Sequence, residues 1–95
     1  MRRPKVYVTR RLPFPAFEEL KKHCDVDLYD SDSPPDRQTL MEHVKDKDAV
    51  LCLLTDKINS EVFDIAPDLK VVSTYSVGYD HIDVEEATRR GIYVC

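Results

Sequence analysis

Apolar and β-branched residues gather in five short runs: Lys5–Thr9, Val26–Tyr29, Ala49–Leu54, Leu69–Tyr75 and Ile92–Cys95. Their starts lie about 22 residues apart, the length of a strand, a turn, a short helix and a second turn. The third and fourth runs are apolar or β-branched almost throughout. Strands of a parallel sheet covered on both faces read this way, whereas half-exposed antiparallel strands alternate. Right-handed crossovers then place helices on both faces of one open, twisted sheet. The pattern predicts βαβαβαβαβ.

Four helices are expected between the strands. In the first, Pro13 and Pro15 suit an N-terminal turn, and Phe14, Phe17 and Leu20 share a face. In the second, Asp36 is the candidate N-cap and Leu40, Met41 and Val44 the buried stripe. The third is capped by Asn59 or Ser60, packs through Val62, Phe63 and Ala66, and stops at Pro67. The fourth opens on Asp83 with Glu86 three residues on, a capping box with Asp in place of Ser or Thr. Arg89 and Arg90 suit its last turn, and Gly91 suits the position just past it.

Composition narrows the class. The 95 residues are 42% hydrophobic and 34% charged, with two glycines, which describes one globular domain or part of one and excludes disordered and collagen-like chains. A net charge of −4 without a basic stripe argues against a nucleic-acid partner. Every apolar run is far shorter than the ~20 residues of a membrane helix, so no membrane partner is expected. Cys24, Cys52 and Cys95 are odd in number and lack metal-type spacing. They read as free thiols in a reducing cytosol, which implies a cytoplasmic protein with no metal.

In an open α/β sheet, ligands bind beyond the carboxyl ends of the strands. The segments expected there are Thr9–Arg11, Asp30–Asp32, Leu53–Asp56 and Ser76–Asp80. Gly78 follows a buried strand, where it is either an ordinary turn glycine or part of an anion site. In the second case the N–H groups of Val77, Gly78 and Tyr79 form a nest for a carboxylate. Arg10 and Arg11 are placed to meet an anion or, more ordinarily, to pair with aspartates. His81 lacks an orienting carboxylate at a recognisable spacing and reads as structural or surface. No G-x-G-x-x-G and no P-loop pattern occurs, so the residues encode no dinucleotide site. A phospho-receiver domain needs an acidic pair after the first strand, where Thr9-Arg10-Arg11 stands.

Six segments taken together are familiar. They are Lys5–Arg11, Asp30–Asp32, Val50–Asp56, Leu69–Ser73, Ser76-Val-Gly-Tyr-Asp-His-Ile-Asp83 and Ala87-Thr-Arg-Arg-Gly-Ile92. In order and spacing they resemble the D-isomer-specific 2-hydroxyacid dehydrogenases, and within them the glyoxylate reductase/hydroxypyruvate reductase enzymes. The resemblance implies a flavodoxin-like substrate-binding domain with strand order 2-1-3-4-5. It implies that the amides of Val77 and Gly78 hold the carboxylate of a small 2-oxo acid and that Leu54 lines its pocket. The implied reaction is hydride transfer from NADPH or NADH to glyoxylate or hydroxypyruvate. The family's catalytic Arg, Glu and His and its dinucleotide-binding domain have no counterpart here, and His81 does not match the catalytic histidine. Residues 1–95 are therefore expected to be the N-terminal part of the substrate-binding domain, with no catalytic and no cofactor-binding residue, and inactive alone.

The last run, Ile92–Cys95, has no helix after it, so the sheet is expected to lack its final helix. A bare helix-sized face exposes on the order of 400 Å² of apolar surface, roughly 10 kcal/mol of unrealised burial at ~25 cal/mol/Å². A homodimer or domain-swapped dimer is expected to cover it. The alternative to an enzyme part is a non-catalytic flavodoxin-like scaffold or self-associating module.

Overall fold

In a computed structural model, residues 3–11, 14–33, 35–52, 57–74 and 82–94 are described. The strands are β1 (Lys5–Val8), β2 (Asp25–Leu28), β3 (Ala49–Cys52), β4 (Val71–Thr74) and β5 (Tyr93–Val94). Between them lie α1 (Phe14–His23), α2 (Arg37–Val44), α3 (Ser60–Ile65) and α4 (Val84–Arg89). All strand pairs are parallel, in the order β2-β1-β3-β4-β5. This is the flavodoxin-like order that the resemblance implied.

Register follows the apolar pattern. Val50 lies beside Val72, and Val72 beside Val94, so one row of β-branched side chains crosses the sheet. Neighbours in register share a face. On one face Tyr7, Val50, Cys52 and Val72 are buried against α2, α3 and α4, through Leu40, Val44, Val62, Phe63 and Ala87. On the other face Val6 and Val8 pack with Phe17 and Leu20 of α1, as their spacing predicted. Pro13 and the Phe14 side chain lie outside the described residues. Beyond α1 this second face runs on through Ala49 and Val71, both half-buried, to Tyr93, which is 76% exposed.

Most of the expected helix signals are present, with three differences. Asp36 caps α2 by accepting from the Thr39 N–H at 2.8 Å. In the stripe of α2, Leu40 and Val44 are buried while Met41 is only half-buried, because it sits at the edge of the face turned to the sheet. Asn59 occupies the cap position of α3 without bonding its N–H groups, since its Oδ1 accepts from Arg37 Nη2 at 2.8 Å. Asp83 caps α4 through the Glu86 N–H at 3.0 Å. The reciprocal bond of a capping box is absent, because Asp83 N–H donates to Ile58 O and the Glu86 carboxylate pairs with Arg89 and Arg90. At the other end Gly91 has φ +76°; its N–H donates to Thr88 O and that of Ile92 to Ala87 O. Those two bonds and the buried Ile92–Ala87 pair form a Schellman motif.

Candidate functional site

Each helix N-terminus follows a strand's carboxyl end, so the starts of α2, α3 and α4 share one rim of the sheet with the turns after β1 and β2. The three residues the sequence singled out, Leu54, Val77 and Gly78, lie outside the described residues, as do Thr55, Asp56, Tyr79 and His81. The residues that bracket them are described. β3 and β4 pair up to Cys52 opposite Thr74, and the chains meet again at an isolated parallel bridge between Ile58 and Ile82. Ile58 is fully buried and Ile82 nearly so, and Asp83 N–H donates to Ile58 O at 2.9 Å. The stretch carrying Leu54 and the stretch carrying Val77 and Gly78 therefore leave from neighbouring strands and return to neighbouring residues.

Arg37, which the sequence reading passed over, reaches the return point of the first stretch. At the first position of α2, its Nη1 donates to Lys57 O and its Nη2 to Asn59 Oδ1 at 2.8 Å. Its Nε and Nη2 also hold Glu61 Oε1, at 3.0 and 2.9 Å. A guanidinium supplies this many donors in one plane, which an ammonium does not. The available signal was an arginine directly after a capping aspartate, and it does not reveal partners twenty residues on.

In the described part of the turn after β1, Arg10 and Arg11 bond to acceptors of the protein itself. Arg11 is held by Asp30 Oδ1 at 2.7 Å and Asp32 Oδ2 at 3.4 Å, and its N–H donates to Ser31 O. The hydrogen bond to Asp30, then the charge of Asp32, raises the Arg11 pKa above its ordinary value. Thr9 and Arg10 are buried, with Arg10 Nη1 donating to Thr9 O at 2.8 Å. A dinucleotide phosphate needs glycine and open backbone at a first βα turn. Two buried side chains, Thr9 and Arg10, stand at the start of this turn instead.

Away from the rim, beneath the last turn of α2, lies a second polar group unseen in the sequence. Lys47, with a side chain 9% exposed, donates to His43 O and Asp46 Oδ1 at 2.8 Å and pairs with Asp27 Oδ2 at 3.3 Å. Two hydrogen bonds and an ion pair thus compensate the burial of this ammonium group. The bond from Lys47 holds the Asp46 carboxyl below the usual range. His43 Nδ1 lies 2.6 Å from the same Asp27 oxygen, and its ring stacks on Tyr7. This cluster ties α2 to the edge strand β2. Among the described residues no group of His, Cys, Asp or Glu is arranged to hold a metal, and no helix is long and apolar enough to cross a membrane.

Comparison with known proteins places this geometry. The family described as D-isomer specific 2-hydroxyacid dehydrogenase, catalytic domain, matches residues 6–95. A glyoxylate reductase of Thermofilum pendens is 63% identical over 95 residues, covering 99% of this chain and 28% of that protein. A crystal structure of a Pyrococcus horikoshii protein superposes with a TM-score of 0.88 at 44% identity, over 98% of this chain and 27% of that one. An NADPH-dependent glyoxylate/hydroxypyruvate reductase from Sinorhizobium meliloti, in complex with NADP and malonate, superposes at 0.73 with 25% identity, over 98% and 28%. The chain thus spans less than a third of the length of the relatives it matches.

Proposed function

The chain belongs to the D-isomer specific 2-hydroxyacid dehydrogenase family, and from that premise we propose that residues 1–95 are the N-terminal part of a substrate-binding domain that holds the carboxylate of a small 2-oxo acid. Glyoxylate and hydroxypyruvate are the substrates, and the amides of Val77 and Gly78 are the carboxylate's donors. Leu54 lines the pocket that takes the acid. The observation that carries the reading is the bracket at the rim, where Cys52–Thr74 and Ile58–Ile82 bring both ends of the two stretches together. A neighbour of the same fold is complexed with malonate, itself a carboxylate. Backbone N–H groups suit such a ligand because they present partial positive charge without a side chain's entropy cost.

The reduction belongs to a cytoplasmic enzyme using NADPH or NADH. No step through the nicotinamide is assigned to these residues. They bind and orient the acid, and the chain alone turns nothing over. A second reading, a non-catalytic self-associating module, is favoured by the exposed Tyr93 end of the sheet.

One titration separates the two. Oxalate added to the isotopically labelled chain is expected to shift the Val77 and Gly78 amides saturably, and Gly78→Val is expected to abolish the shift. Amides that stay in place throughout would leave the module reading standing. NAD(P)H oxidation with glyoxylate by the homogeneous chain would overturn the assignment of catalysis to residues outside it.

A further inference from the structure

We infer that the chain meets a second copy of itself along the β5 edge of the sheet, with α4 antiparallel to α4 of that copy and Glu85 opposite Arg89 across a two-fold axis. The inference rests on the self-associating reading above and gives it a surface. The two edges of the sheet differ. On β2, Asp25 pairs with Arg3, and Asp27 with His43 and Lys47, so that edge carries charge, which discourages association of strands. On β5 both residues, Tyr93 and Val94, are uncharged. Tyr93 N–H is bonded to Lys70 O, and alternation along the strand turns the N–H and C=O of Val94 outward. Val84 and Tyr93 are the exposed large hydrophobics among the described residues. Both line one open groove between α4 and β5, together with Thr88, Gly91 and Val94.

The charges beside the groove say what fits it. Val84 and Thr88 stand one turn apart on α4 and line the groove. Glu85 and Arg89, one position on from each, border it and are exposed. Arg89 reaches Glu86 at 3.0 Å, whereas Glu85 has no ion pair with another described residue. An acid near the start of a short helix and a base four residues later make that helix its own complement in antiparallel pairing. A two-fold axis level with Ala87 brings Glu85 of each copy to Arg89 of the other, and Val84 to Thr88 of the second copy. Contact of this isologous kind closes at two copies. Parallel packing would instead set Glu85 against Glu85 and Arg89 against Arg89, and like charges in register repel.

The test is the dimer dissociation constant of the 95-residue chain, measured by sedimentation equilibrium. Glu85→Arg and Arg89→Glu each place two like-charge pairs in the seam and are expected to weaken the dimer about tenfold. The double variant Glu85→Arg/Arg89→Glu restores both pairs with their signs exchanged and should recover the parent's constant within about threefold. An equimolar mixture of the two single variants should form heterodimers, since each supplies the charge the other lacks. Should Arg89→Glu unfold through loss of its Glu86 contact, Glu85→Arg is compared with Glu85→Gln, and Arg is expected to weaken the dimer more than Gln. A dimeric parent whose double variant fails to recover, or whose Glu85→Arg and Glu85→Gln variants dimerise equally, overturns this interface alone. A parent that stays monomeric at millimolar concentration overturns the self-associating reading and this interface with it.

Discussion

Gly91 and Asp36 are positions where a residue's own chemistry decides local structure, and both were legible without a fold. Gly91 closes α4 at φ +76°, with nothing within 4 Å of where a Cβ would stand. Gly91→Ala therefore meets no clash and costs only backbone strain, about 1–2 kcal/mol in a denaturant melt. Gly91→Asn should lose less, since asparagine tolerates the left-handed region. Asp36 accepts from the Thr39 N–H, and that bond lowers its pKa below the ordinary value of 3.8. A depressed carboxyl contributes its stability in full above the unfolded value and loses it as pH falls through the lower native one. Asp36→Ala is therefore expected to flatten the pH dependence of stability below about pH 4 and to lower stability at neutral pH. Melts of the parent and Asp36→Ala at pH 7 and pH 3 check this, and equal losses at both would contradict it.

Elements were legible wherever their apolar spacing was strong, and less so where partners came from far along the chain. Phe17 and Leu20 of α1, and Val62 and Phe63 of α3, pack as their periodicity said. Met41 and Asn59 did not, because how much of a helix face meets the sheet and the reach of Arg37 are tertiary matters. The same holds for Asp27, His43 and Lys47, whose meeting needs α2 laid across β2. Ile58 shows how an element boundary can carry the fold. It belongs to no strand or helix, yet it is fully buried and joins the segment before α3 to the one before α4. Ile58→Ala is expected to cost about 2–5 kcal/mol, the range of a fully buried isoleucine truncation. A loss below 1 kcal/mol in a urea melt would mean that the bridge contributes little.

For the molecule as a whole, the open question is the second sheet face. α1 covers β1 and its neighbours, while Ala49 and Val71 stay half-buried and Tyr93 lies 76% exposed. Contiguous apolar surface of this kind favours association. The 95-residue chain is accordingly expected to form a homodimer or a swapped dimer at micromolar concentration, and Tyr93→Glu to shift it toward monomer. Light scattering on both proteins decides the matter. A parent that is monomeric and melts cooperatively would show that the uncovered face needs no partner.

Strand and helix order, the two-sided burial of the sheet and the caps at Asp36, Asp83 and Gly91 follow from sequence because each depends on spacing or on neighbours within a few residues. The order β2-β1-β3-β4-β5 came through resemblance to a family, since short-range pattern alone leaves several arrangements of parallel strands open. Tertiary structure decided which charges meet. Arg11 is drawn to Asp30 and Asp32, Lys47 is buried against Asp27, and Arg37 spans from α2 to Asn59 and Glu61. A charged side chain is long and has many possible partners in sequence. Only packing of the helices on the sheet fixes which acceptor lies within reach and which buried donor must find one.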